Sequence, residues 1–274
     1  YTRGPEYSRP FNQILEEAQQ LVDSGSKEII LLGQNVNAYN FNGLRLSNLI
    51  IELEKFSNLE RIRYTTSHPM DMTDDLINVY KNSKKLMPLV HLPVQSGSDK
   101  VLKLMNRKHS IKTYLEIFNR LKKINSKIEF SSDFIISYPG ENEKDFKRTL
   151  KLIDEVKFIN SFSFIFSPRP GTVASNLPII DKKKSYERLE IVQQKLFDNQ
   201  IKMNKSLENR ILNVLVENRT DDRSKLFGRS EHMTSVLFNG SDDLIGKVVK
   251  VKIQNSNRNT LFGEFLSQSN QKVA

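Results

Sequence analysis

The residues of this sequence best suited to chemistry sit just after apolar, β-rich runs. Gln34 and Asn35 follow EIILLG, and His68 and Pro69 follow RIRYTTS. LVHLPVQ ends on Gln95 and leads into Ser96, Gly97 and Ser98. EFSSDFIIS, which carries Asp133, leads into Tyr138-Pro139-Gly140-Glu141, and SFSFIFS leads into Arg169-Pro170-Gly171-Thr172. Amides and hydroxyls of this kind, with His91 nearby, are enough donors and acceptors to hold a ribose or a carboxylate. No nucleophile stands beside a base, and no Lys or acid–base pair stands out at a strand end, which disfavours an ordinary barrel lyase. His68 and His91 each lie within two residues of a proline and read as structural rather than metal-ligating. Asp133 lies in a strand, where an unpaired carboxylate is costly. It is therefore expected to face a polar interior pocket or an Arg, with a structural ion pair as the alternative.

These residues need strands to aim them. The five β-rich runs start at residues 28, 61, 89, 129 and 161, spaced 33, 28, 40 and 32 residues apart. Between them lie stretches with helical spacing, such as Ile14, Leu15, Ala18, Leu21 and Val22, or Leu115, Phe118, Leu121 and Ile124. A β-α repeat of this period predicts parallel strands with crossover helices, in an open doubly wound sheet or a barrel. No GxGxxG follows a strand, which weakens a dinucleotide-binding reading. In a barrel, strand ends and the loops after them converge on one pocket. Taken singly, any of these loops is as well explained by turn chemistry.

Asp181 predicts the start of a charged helix running through Tyr186, Leu189, Val192 and Leu196 to about Lys205. Beyond it the pattern changes to short strands, ILNVLVE, SVLFNG, GKVVKVKIQ and TLFGEFL, punctuated by Gly228, Gly240, Gly246 and Gly263. Val249, Val251 and Ile253 alternate with Lys250 and Lys252. This predicts a small β-barrel. The division is therefore residues 1–205 and 206–274.

The chain has 42 Lys and Arg against 32 Asp and Glu, a net charge of +10 and a pI near 9.5, which suits a polyanionic partner. Eight of the ten excess charges fall in residues 1–205. No apolar run approaches the roughly 20 residues of a membrane span, and YTRGPEYSRP lacks the apolar core of a signal peptide. A cytoplasmic, non-membrane protein is expected. The absence of cysteine excludes disulfides and thiolate ligation within these residues.

Six strings in register, YTRGPEYSRP, LLGQNVNAY, RYTTSHPMDMTDDLI, HLPVQSGSDKVLKLMNR, SSDFIISYPGENEKDF and SFIFSPRPGT, closely resemble the radical S-adenosylmethionine methylthiotransferases of the MiaB type. From about Ser206 the chain resembles that family's TRAM domain, a small RNA-binding β-barrel. The resemblance covers essentially all 274 residues. It implies an α/β fold, a partial parallel β/α (TIM-like) radical SAM barrel lacking its first strand, followed by the all-β TRAM barrel. It also implies S-adenosylmethionine across the strand tops and two 4Fe-4S clusters. One cluster, held by CxxxCxxC, cleaves the cofactor so that an adenosyl radical activates adenine carbon 2; the second supplies sulfur. The implied substrate is tRNA carrying isopentenyladenosine beside the anticodon, and the implied electron donor is a flavodoxin or ferredoxin. A monomer is expected. In the family the CxxxCxxC loop immediately precedes the segment matching YTRGPEYSRP. Cluster ligands and first strand are thus expected upstream of Tyr1, with no catalytic or metal-ligating residue in these 274 and no activity from them alone.

Carried over by position, Arg3, Glu6 and Arg9 flank the cluster loop, where guanidinium groups neutralise a carboxylate or the cluster's charge. Gln34 and Asn35 meet the methionyl amino group, Gln95 and Ser96 the ribose, and the backbone around Arg169 the adenine, with Asp133 added to the cofactor-binding set. Arg229, Lys247, Lys250 and Lys252 are the expected phosphate contacts. Two departures from the family pattern, Ser137-Tyr138 for Gly-Phe and Pro168 for Ala, affect local loop shape. The competing readings are a sister methylthiotransferase acting on threonylcarbamoyladenosine or a ribosomal protein, and a non-catalytic tRNA-binding protein.

Overall fold

The structure is a computed structural model, and it describes residues 7–267. Helix α1 (Phe11–Asp23) precedes β1 (Glu28–Leu31). A hairpin of β2 (Asn40–Phe41) and β3 (Leu44–Arg45) then leads to α2 (Leu46–Glu54). There follow β4 (Arg61–Tyr64), α3 (Asp74–Asn82), β5 (Leu89–His91), α4 (Asp99–Leu104), α5 (Ile111–Ile124), β6 (Glu129–Ser131), β7 (Asp133–Ile136), α6 (Glu143–Val156) and β8 (Phe162–Ile165). β1 pairs with β4, β5 with β6, and β7 with β8, all parallel. Ile62 bridges to Leu86 just before β5, and Gln95 just after β5 bridges to Phe134. The row is thus β1, β4, β5, β6/β7, β8: the five expected strands, in the expected partial parallel barrel.

β6 and β7 are one strand broken at Ser132. The Ser132 amide donates to Ser161 Oγ, and its own Oγ accepts from the Val94 amide, both at 2.9 Å. Alternation sorts the residues by face. Ile29, Ile62, Tyr64, Val90, Phe130, Phe134 and Ile136 are buried in one core against the helices. Ile30, Arg61, Arg63, His91, Ser131, Asp133, Phe162 and Phe164 therefore look into the concave interior. Leu21 belongs to the expected apolar face of α1 yet is 45% exposed. The reason is that the outer edge of β1 pairs with no strand among the described residues, so α1 overhangs a cavity there.

Helix α7 (Lys182–Ser206) begins at Asp181, whose carboxylate accepts from the Lys184 amide at 3.0 Å. Val192 and Leu196 belong to the first core and Met203 packs on the second, so one rigid helix spans both units. Tyr186, expected on its apolar face, is 56% exposed. After α7 come β9 (Ile211–Arg219), β10 (Leu226–Arg229), β11 (Ser235–Asn239), β12 (Val248–Ser256) and β13 (Thr260–Phe265), closed into a barrel in the order β10-β11-β13-β12-β9. Gly228, read in the sequence as turn punctuation, instead lies inside β10 at a bulge; a Cβ there would meet Leu215 O at 2.4 Å. Gly263 lies inside β13, where a Cβ would meet Lys252 O at 2.6 Å. Closure of so small a barrel brings backbones closer than a side chain permits.

The small barrel caps the end of the partial barrel where its strands begin. Arg61 donates to Asn213 O at 2.8 Å and Arg229 O at 2.9 Å; Arg63 donates to Glu231 O at 2.8 Å and Ser230 O at 3.1 Å. Both guanidiniums are buried, with Glu28 Oε2 2.9 Å from Arg63 Nε and 3.9 Å from Arg61. Burial lowers the pKa of each, and the carboxylates of Glu28 and Glu231, with Glu217 for Arg61, only partly oppose this. Carbonyl dipoles of the small barrel therefore share in compensating two buried cations.

Candidate functional site at the strand tops

At the opposite end, where the strands finish, left-handed backbone recurs. Thr66 (φ 60°), Gln95 (φ 69°) and Ser137 (φ 59°) follow β4, β5 and β7 in turn. For Thr this conformation is strongly disfavoured, so the contacts around Thr66 must hold it there. Side chains hold it. Thr66 Oγ1 donates to Gly33 O. Asn37 donates to His68 O at 2.9 Å and accepts from the His68 amide at 2.8 Å, tying the loops after β1 and β4 together.

Asn35 Nδ2 donates to Asp71 Oδ2 at 2.6 Å, while Asn35 Oδ1 is buried with no hydrogen-bond partner among the described residues. Such an acceptor calls for a donor. Gln34 is exposed beside it. Both line a cavity of about 830 Å³ between α1 and the free edge of β1, together with Arg9, Tyr39, Ile30 and Leu32. Arg9 ion-pairs with Glu17 at 2.7 Å, so a ligand's carboxylate would compete with Glu17 for it.

Gln95 and Asp133 form a second group. The Gln95 amide donates to Asp133 O at 3.0 Å and Gln95 O accepts from the Ile135 amide at 2.9 Å. Asp133 Oδ2 lies 3.6 Å from His91 Nε2, and His91 Nδ1 is 2.7 Å from Ser131 Oγ. The carboxylate does face the interior, with a histidine rather than an arginine as its neighbour. Ser96 is buried, its Oγ accepting from the Ser98 amide at 3.2 Å and lying 3.5 Å from Thr149 Oγ1. Ser98 Oγ donates to Asp145 at 2.7 Å. The Ser96-Gly97-Ser98 turn is thus a clamp on α6, with the Ser96 hydroxyl buried against Thr149 and the Ser98 amide. Arg169 is exposed after β8, and its guanidinium meets no carboxylate within 4 Å among the described residues. Arg3 and Glu6 lie outside the described residues.

His68 accepts from the Met70 amide through Nδ1 and lies edge-on to His109, the ring centroids 5.5 Å apart. Burial lowers the pKa of both, that of His109 to about 4, so they are neutral at neutral pH. On the small barrel, Lys250 and Lys252 are exposed on one face of β12 while Val251 and Ile253 are buried. Lys247 lies 3.8 Å from Asp243, and Arg229 pairs with Glu217 at 3.2 Å while stacking on Phe227.

Asn37, Thr66 and the Arg61/Arg63 pair are functional or structural anchors that the sequence motifs do not single out. The signal for the arginines was present, since two guanidiniums at i and i+2 in an otherwise apolar strand must share a face and find acceptors. Asn37 and Thr66 had no such signal, because their partners are some 30 residues away in sequence.

Comparison with known proteins adds the following. The profile of the Radical SAM superfamily matches residues 1–153, and that of the TRAM domain residues 205–266. The chain is 68% identical over its whole length to a tRNA-2-methylthio-N(6)-dimethylallyladenosine synthase of Pelagibacter ubique (strain HTCC1062), covering 62% of that protein. It is 46% identical, over 98% of its length, to the synthase of the same name from Anaplasma phagocytophilum (strain HZ), covering 63% of it. It therefore spans a little under two thirds of these relatives. Among solved structures, coproporphyrinogen III oxidase from Escherichia coli, described as a radical SAM enzyme, superposes on 95% of this chain and 66% of its own, with a TM-score of 0.54 at 13% identity. That likeness concerns the fold.

Proposed function

The chain belongs to the radical SAM superfamily, and from that premise we propose that it forms the catalytic barrel and RNA-binding portion of an enzyme that methylthiolates carbon 2 of N6-dimethylallyladenosine beside the anticodon of tRNA. The observation that supports the reading is Asn35 Oδ1 past the end of β1, a buried acceptor with no hydrogen-bond partner among the described residues. The names of the relatives supply the substrate class.

The residues present fit S-adenosylmethionine. An orphan amide oxygen suits an ammonium group, Gln34 beside it adds a donor and an acceptor, and Arg9 can turn from Glu17 to a carboxylate. Gln95, fixed by its backbone to β7, is the candidate ribose contact. Arg169 and the backbone around it are the candidate adenine contacts, and Asp133 with His91 forms the polar wall between. The residues do not fit an iron–sulfur cluster, because the 274 residues include no cysteine. We assign two 4Fe-4S clusters, with their ligands, to the remaining length of the whole protein. When bound, S-adenosylmethionine supplies one-electron activation of an unreactive carbon. What this chain contributes is orientation: a strained, cross-linked strand-top rim and an interior closed at one end by the small barrel.

Residues 1–205 would then act on the adenosine and residues 206–274 grip the tRNA through Lys247, Lys250, Lys252 and Arg229. The remaining parts of the proposal are a cytoplasmic monomer and a flavodoxin- or ferredoxin-type electron donor. No described helix is long and apolar enough to cross a membrane. The test is to express the full-length protein under anaerobic conditions and analyse the nucleosides of tRNA incubated with it. Conversion of N6-dimethylallyladenosine to its 2-methylthio form is expected. A cluster-loaded protein that leaves this nucleoside unchanged but converts the threonylcarbamoyl one would overturn the substrate assignment.

A further inference from the structure

Two large aromatic side chains stand in the concave interior left largely uncovered by the described residues. Phe162 is 61% exposed and Phe164 is 57% exposed, although Phe130, Phe134 and Phe158 are almost completely buried. The register fixes their direction. Phe162 pairs with Asp133 and Phe164 with Ile135, whereas Phe134 and Ile136, on the alternate face of β7, are buried in the helix-covered core. The two rings lie 6.5 Å apart and within 16° of parallel, so they form one continuous apolar wall along β8. The adjoining surface is polar, with Asp133 and His91 3.6 Å apart.

The wall begins directly above a closed floor. Asn160, two residues before Phe162, donates to His232 O at 2.8 Å, and Arg61 and Arg63 hold Ser230 and Glu231 of the same small-barrel turn. Whatever meets the rings must therefore come from the strand-top end, where Gln95 and Arg169 lie, or past the outer edge of β8, which pairs with no further strand among the described residues.

We propose that Phe162 and Phe164 receive the dimethylallyl group of the target adenosine and set the preference for it over other N6 substituents. The inference rests on the functional reading above. The group is branched, contains five carbons and has no hydrogen-bonding atom, so two rings left in water are its chemical complement. A threonylcarbamoyl group would bring a carboxylate against the same rings, losing water without gaining a partner.

The test uses the full-length protein and measures equilibrium binding of anticodon stem-loop RNAs that differ only at the target N6: dimethylallyl, unmodified or threonylcarbamoyl. Comparing ratios removes the phosphate contribution common to all three. The natural protein is expected to bind the dimethylallyl loop about tenfold or more tightly than the unmodified one, within the range a few buried methyl groups provide. The double substitution Phe162→Ala/Phe164→Ala should bring that ratio close to one while leaving affinity for the unmodified loop as it was. Phe162→Leu/Phe164→Leu should retain most of the preference. A preference that survives the alanine pair overturns the role of the rings and leaves the functional reading standing. A natural protein that favours the threonylcarbamoyl loop overturns both.

Discussion

At the residue scale, close approaches and burial dominate. Gly97 has no room for a side chain: a Cβ would meet Thr149 Cα at 2.5 Å and Arg148 O at 2.6 Å. Since α6 cannot yield at its backbone without moving the clamp, Gly97→Ala is expected to cost about 1–3 kcal/mol, read as a lower urea midpoint with an unchanged slope. His109 gives a pH prediction. Its folded pKa of about 4 lies below the ordinary 6.5 because burial disfavours the charged ring. The unfolded chain therefore binds the proton first as pH falls. The stability His109 contributes is complete above pH 6.5 and is lost between 6.5 and 4, on the order of 3 kcal/mol in all. Urea titrations across that range should show the loss, and His109→Gln should flatten it, leaving the part due to His68 and His232, which burial shifts the same way.

At the element scale, β4 does two jobs with alternating residues. Ile62 and Tyr64 pack the core, while Arg61 and Arg63 reach across to the turn after β10. Removing either arginine leaves carbonyls unsatisfied and loosens the hold on Glu28, and breaking a buried charge pair typically costs about 3–5 kcal/mol. Arg61→Ala/Arg63→Ala should therefore split unfolding into two transitions and strip hydrogen-exchange protection from residues 229–232. A single transition at the natural midpoint would contradict the latch. α7 would remain as the covalent strut, since its buried residues serve both cores.

At the scale of the whole molecule, the proposed function has the exposed charge of β12 and the interior of the partial barrel serving one RNA. The small barrel carries little net charge, so its grip is expected to depend on a few lysines placed at a fixed distance from the interior. Lys250→Glu/Lys252→Glu should weaken tRNA binding and lower the salt slope of log affinity by about 1–2, without changing the melting temperature. Filter binding at two salt concentrations measures this. An unchanged slope would move the RNA surface elsewhere.

Much of this architecture was legible in the chain. The runs beginning at Glu28, Arg61, Leu89, Glu129 and Ser161 announced parallel strands because burial on one face needs apolar alternation and crossover helices need that spacing. Lys250 and Lys252 declared an exposed face for the same reason. The Gly228 strand was hidden, because a glycine at a close backbone approach looks the same in sequence as a glycine at a turn. Nor could sequence distinguish Gln95, held at a strand top, from Ser96, spent on α6, since adjacent residues point to different neighbours. The capping turn on Arg61 and Arg63, the knot between Asn37 and His68, and the uncovered rings of Phe162 and Phe164 were likewise fixed only by the tertiary structure. Each depends on which groups meet across 30 to 170 residues of chain, or on what the fold leaves uncovered, whereas local periodicity reports only which side of an element is wet and which is dry.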